Sequence, residues 1–217
     1  MTTSYKARWA YALQQKKFKQ LTFLGIFFLI IILLLFPYFF TFIEQREGKT
    51  INDIVLNYFT PINVSGYIFG IIWLMAFITI IRCIQQPAIF LQFLWGFILL
   101  SISRVITIIA VPLNAPNQLI VLIDPISNYF YGKTFITKDL FYSGHTATLF
   151  LMCLCLKNKW DKFLTLLSTI IIGILVLVQH VHYTIDVVAA PFFTYFIYVL
   201  TNKITATSLK SFTNLKV

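Results

Sequence analysis

Charge is scarce in this chain. Asp, Glu, Lys and Arg make up 11% of its 217 residues, where a soluble domain carries about 25%. Hydrophobic residues fill the space, at 59%. That balance excludes an ordinary soluble domain and points to an integral membrane protein. Cysteine is also sparse. Cys83, Cys153 and Cys155 lie in apolar segments, the usual setting of inert buried thiols, so no disulfide framework is expected. No linker-like stretch, low-complexity segment or internal repeat divides the chain, so one compact domain is expected. Acidic residues number only seven and form no cluster suited to magnesium. There is no H-E-x-x-H string, and although two histidines and an aspartate could hold zinc, neither a metal nor a cofactor is expected. The net charge of +10 fits cations flanking membrane segments. Nucleic-acid binding is not expected, because no basic and aromatic surface stretch stands apart from the apolar runs.

What is present is a series of long apolar runs. A spanning helix needs about 20 of them in succession. Leu21–Ile43 is a first span, too long and too far from the N-terminus for a signal peptide. Asn63–Ile81 is a second, and Ala88 to about Pro112, interrupted by Arg104, a third. Thr137–Leu156 is a fourth, Phe163–Gln179 a fifth, and His180 or His182 to Asn202 a sixth, with a tolerated Pro191. The last two must form a hairpin, because residues 163–202 as one helix would reach about 60 Å, twice the hydrocarbon thickness. The expected fold is therefore an all-α bundle of six transmembrane helices. Its expected parts are a basic cytoplasmic segment (1–20), a membrane catalytic domain (21–202) and a short cytoplasmic tail (203–217). With both termini in the cytoplasm, twelve of the 17 Lys and Arg residues fall inside. Six of the seven acidic residues then fall outside, all but Asp161.

This topology brings four ionisable residues to one layer. Arg104 lies eight residues before the outer end of the third span, and His145 about eight residues into the fourth. His182 and Asp186 open the sixth. Eight residues is about 12 Å of helix. Each residue alone has a plain structural explanation: a snorkelling arginine, packed histidines, a helix-stapling His–Asp contact. Four at one depth on three spans indicate a functional site. On a helix Asp186 lies one turn from His182 and can orient its ring, leaving the other nitrogen as a nucleophile. His145 can protonate a leaving group. Arg104 suits phosphate oxygens, and the small residues Ser143 and Gly144 offer backbone amides to an anion. Phosphoryl transfer asks for such positioning and charge. His180 takes no part in this set and is expected to pack or to support it.

The strings "KDLFYSGHT" (138–146) and "QHVHYTIDVVAA" (179–190) resemble the sphingomyelin synthase-like branch of the type 2 phosphatidic acid phosphatase superfamily. A third string, Arg104, Ile106, Thr107, Leu113 and Pro116, resembles another motif of that branch in the right order. The resemblance implies that His182 forms a phosphohistidine, Asp186 orients it and His145 is the acid–base partner. It implies metal-independent transfer of a phospholipid headgroup to a lipid hydroxyl, of ceramide or diacylglycerol; the topology read from the spans and from Lys and Arg puts the site of this multi-pass protein near the non-cytoplasmic leaflet. Water as acceptor, in a lipid phosphate phosphatase, is the alternative. A non-catalytic transporter or assembly protein is another, although the paired broken helices of transporters are not seen. The chain lacks the K-x6-R-P string of the classical phosphatase branch, and the loop between its third and fourth spans is shorter than in sphingomyelin synthases. The apolar middle of that loop is expected to lie on the membrane near the site. The loop after the first span reads as an interfacial segment, with Asp53 in what resembles a remnant of a further motif.

Overall fold

A computed structural model describes residues 4–122 and 135–213, with side chains described through residue 208. The apolar middle of the long loop lies largely outside the described residues. The described chain is all-helical. Helix α1 (Tyr5–Gln14) leads into α2 (Lys16–Gln45), and a single 3-10 turn (Leu56–Tyr58) precedes α3 (Ser65–Gln85). Then follow α4 (Pro87–Ala110), α5 (Gly144–Cys155), α6 (Lys159–Val178) and α7 (Thr184–Thr213).

Five of these helices, α2, α3, α4, α6 and α7, are long and apolar enough to cross a membrane. The expectation of six full spans is corrected at the fourth. Residues 137–143 are not helical, and α5 has only 12 residues, about 18 Å of helix. The reason is local. Ser143 caps the helix, its hydroxyl accepting from the Thr146 amide, which is where a serine side chain competes best with the helix. Upstream, the Glu44 carboxylate at the end of α2 accepts from the amides of Thr137 and Lys138 and from the Thr137 hydroxyl. The carbonyls of Phe141 and Tyr142 accept from Thr107 and Arg104. These bonds take the polar groups that a helix would have paired internally. Other boundaries moved less: the sixth run starts at Thr184 rather than at His180 or His182, and continues past Asn202 to Thr213.

Short α5 is the centre of the bundle. One side joins Leu100 of α4 and Ala190 and Ile197 of α7 around Ala147 and Leu151. The other joins Ile68 and Met75 of α3 and Ile172 and Val176 of α6 around Leu149 and Met152. Gly96 lets α4 approach closely, since a Cβ there would lie 2.9 Å from Leu151. By contrast α2 is peripheral, with 6% of its apolar window buried. Its exposed Phe23, Phe27 and Leu34 suit a lipid-facing surface. At one end of the bundle, α1 packs with Ala12 against Phe18 and Leu91. The opposite end, the site end, gathers the remaining connections. Lys49 pairs with residues 112–114, Ile62 with Val178, and Ile120 with Gln179.

Candidate active site

The site is built on two short turns, each leading into a helix. The first, residues 139–143, ends at α5 and delivers His145 one residue inside it. The second, Gln179–Tyr183, breaks the long apolar run between α6 and α7. Gln179 fixes that break. Its side chain is fully buried; the oxygen accepts from the Val64 amide, and the nitrogen donates to Ser65 and to the carbonyls of Ile120 and Val121. The two turns are tied together where the Ser143 amide donates to the Asp186 carbonyl.

His182 and Asp186 meet, but not as neighbours on one helix face. His182 precedes α7. Asp186 is the third residue of the helix, and its Oδ2 accepts from the Tyr183 amide at 3.2 Å, one half of a capping box. The same oxygen lies 3.3 Å from His182 Nδ1. A carboxylate only accepts, so Nδ1 carries the proton and Nε2 is the nitrogen left for chemistry. Asp186 is fully buried and His182 is 2% exposed. The His145 ring, more open, stands with its centroid 6.3 Å from that of His182.

Arg104 reaches the same place from α4. Nη2 lies 2.6 Å from Asp139 Oδ1, and Nε donates to the Tyr142 carbonyl. Nη1 has no protein partner among the described residues. The guanidinium lies against Gly144 so closely that a Cβ there would collide with it. Any larger residue at 144 would have to push the guanidinium aside. Ser143 is wholly buried and its hydroxyl is engaged with Thr146, so its side chain serves the cap rather than the cleft.

Arg104, Asp139, Gly144 and His145 form the polar end of a cleft of about 220 Å³. The rest of its wall is mostly apolar, with Phe36 from α2, Ile72 from α3, Phe97 and Leu100 from α4, and Leu149 and Met152 from α5, joined by the hydroxyl side chains of Ser101 and Thr148. Among the described residues no group of three His, Cys, Asp or Glu side chains is placed to hold a metal.

Two residues were given no role in the reading of the sequence. Asp139 stood only inside the string 138–146, yet an intramembrane arginine calls for such a partner. Asp53 acts across 131 residues. Its Oδ2 accepts from the Thr184 amide and its Oδ1 from the Thr184 hydroxyl, clamping the start of α7 between His182 and Asp186. It also caps the turn at Val55 and Leu56. Burial pushes the Asp53 carboxyl up, but the donors of Thr184, Leu56 and Val55 outweigh it and hold the group below its ordinary value.

A helical bundle with long apolar helices thus carries two histidines, an oriented carboxylate and an arginine at one end. Residues 138–203, which contain both turns and all of this set except Arg104, match the family model described as PAP2 superfamily C-terminal. No curated protein matches the chain.

Proposed function

We propose that this protein is a membrane lipid phosphotransferase that moves a phospho-headgroup from a phospholipid to a lipid hydroxyl, of ceramide or diacylglycerol, through a phosphohistidine on His182. The observation that carries this reading is the cleft. One end offers the Arg104 cation and the His145 imidazole, with the His182 ring next to that of His145, and the other is hydrocarbon reached from α2, α3, α4 and α5. An amphiphile with a phosphate matches both ends. The match to the PAP2 superfamily supports lipid phosphate phosphatase or phosphotransferase chemistry in general. The sphingomyelin synthase-like strings support the transferase form.

In the proposed first step His182 Nε2 attacks phosphorus and the bond to the glycerol oxygen breaks, while His145 gives that oxygen a proton. Asp186 holds the ring and stabilises the charge that develops on it. Arg104 and the amides at the start of α5 bind the phosphoryl oxygens. In the second step His145 takes the proton of the acceptor hydroxyl, its oxygen attacks phosphorus, and the N–P bond breaks. No net proton is gained or lost. Seen in this way, the site faces the non-cytoplasmic leaflet, as the distribution of Lys and Arg suggests.

The test is purified protein in vesicles with a headgroup-labelled phospholipid, with and without ceramide or diacylglycerol. A new labelled lipid that depends on the acceptor supports transfer. Release of inorganic phosphate from a phosphomonoester lipid, with no new lipid product, selects the phosphatase. Full activity in His182→Ala overturns both.

A further inference from the structure

We propose, resting on the phosphotransfer reading, that a groove along α4 holds one acyl chain of the lipid whose phosphate lies at Arg104, and that its closed end sets the length of chain the protein accepts. The groove joins two cavities. One is the cleft that ends at Arg104 and His145. The other, of about 370 Å³, lies at the α1 end of the bundle, and among the described residues only hydrophobic side chains line it. Phe97 lines both, so the two meet at its ring.

Three helices shape it. On α4, Phe90, Phe93, Phe97, Leu100 and Arg104 follow one another at steps of three and four residues, so they face the two cavities as one stripe. Helix α2 adds Leu29 and Phe36, about two turns apart, and α3 adds Ile72 and Ile80. Both α2 and α3 pack on α4 but hardly on each other, which leaves the groove open to lipid between them. Ile80 is 57% and Ile84 54% exposed, and Phe93 and Phe97 are half-buried, so a chain entering from the bilayer reaches them. From Arg104 to Phe90 is about 21 Å of helix, a distance that a palmitoyl chain and its glycerol linkage cover when nearly extended.

The far end is closed. Trp9 of α1 stands across it, its Nε1 donating to the Ile84 carbonyl at 2.7 Å and its ring 5.4 Å from that of Phe90. That closure turns a groove into a measure. A chain gains no hydrophobic free energy by leaving lipid for an apolar groove, because lipid tails are equally apolar. What the protein imposes is shape: a phosphate fixed at one end, a floor that includes the paired rings of Phe93 and Phe97, and a wall at the other end. A chain that is too long must fold back or push Trp9 aside, at the cost of overpacking. A polar end and a closed apolar end in line suit one chain of an amphiphile. A partner's helix has neither a phosphate for Arg104 nor a reason to stop at Trp9.

Two measurements on the full-length protein in vesicles test the groove. In the first, phosphatidylcholine or phosphatidylethanolamine carries a diazirine at the carboxyl end or at the methyl end of one chain, and the cross-linked residues are mapped. The carboxyl-end label is expected at Ile72 and Phe97 and the methyl-end label at Ile84, Phe90 and Trp9, both saturably. In the second, headgroup transfer is followed with donors whose chains run from lauroyl to lignoceroyl. Ile80→Trp, on the open side, is expected to lower transfer from palmitoyl donors about tenfold against lauroyl donors. Trp9→Ala is expected to raise transfer from stearoyl and lignoceroyl donors. If Trp9→Ala does not fold, Ile80→Trp and the labels decide. Transfer with labels spread evenly over the lipid-facing helices, or with the wild-type chain-length profile in the folded variants, overturns the groove and leaves phosphotransfer standing. Ordered labels without transfer from any donor overturn phosphotransfer and leave the groove as a phospholipid site.

Discussion

Two arginine–aspartate pairs lie at opposite ends of the bundle, and they are built differently. Arg82 of α3 meets Asp161 of α6 in a bidentate pair at 2.6 and 3.2 Å, and its third nitrogen binds Gln85. Every nitrogen is spent on protein. Arg104 makes a single contact with Asp139, gives Nε to a backbone carbonyl and leaves Nη1 to the cleft. The first pair closes a helix contact. The second holds a cation at a cavity beside two histidines and keeps part of its hydrogen-bonding capacity unspent. Like residues in like pairs thus differ in what is left over after the protein has been satisfied.

Substitutions at each end test that contrast. The largest effect is expected from the histidines that Arg104 faces. His182→Ala and His145→Ala each lower headgroup transfer by about 10²–10⁴-fold, measured with labelled lipid, while the protein inserts and purifies as before. Next, Arg104→Ala lowers transfer by about 10²-fold or more, whereas Arg82→Ala leaves the turnover of folded protein unchanged. Equal losses from the two would erase the contrast. Gly144→Ala is expected to displace the guanidinium and lower transfer by about tenfold. Combined with Arg104→Ala it adds little, because both changes disable one interaction. The smallest change is in stability: Arg82→Ala costs about 1 kcal/mol, read from reversible unfolding in detergent.

A third carboxylate gives a pH test. Asp53 has its carboxyl lowered by hydrogen bonds that form only in the fold. Its contribution to stability is therefore present above the ordinary carboxylate pKa of about 4, and is lost as pH falls through the lower, folded value. Asp53→Asn should flatten the acid limb of the melting curve against pH and leave the neutral region lower throughout. An unchanged acid limb would count against the clamp on Thr184.

Long apolar runs made α2, α3, α4 and α6 legible, because hydrocarbon length is a property of local sequence. The break between α6 and α7 was legible from length alone, but not its cause. Gln179 sets it through partners 58 to 115 residues away, and no local pattern reports those. The fourth run misled for a related reason. Residues 137–143 lead into the apolar run with no Gly or Pro to break a helix, yet Glu44, Arg104 and Thr107 bind their backbone from other elements. His145, His182, Asp186 and Arg104 were found as misplaced polar groups in an apolar chain. Asp139 and Asp53 stood in family-like strings but without a role, because near an end or in a loop an aspartate looks ordinary until its partner is seen.

The Arg104–Asp139 pair also has a consequence for how the protein is made. His182 and Asp186 leave the ribosome four residues apart, so the carboxylate soon has its ring. Arg104 is synthesised 35 residues before Asp139. At about 5–20 residues per second that is a wait of roughly 2 to 7 seconds. Throughout it the Arg104 cation in an apolar helix lacks the Asp139 carboxylate that will pair with it, and the Asp186 end of the site does not yet exist. During biogenesis α4 is therefore the helix that needs shelter, whether from the insertion machinery or from the edge of the bilayer, until the turn before α5 arrives to neutralise it.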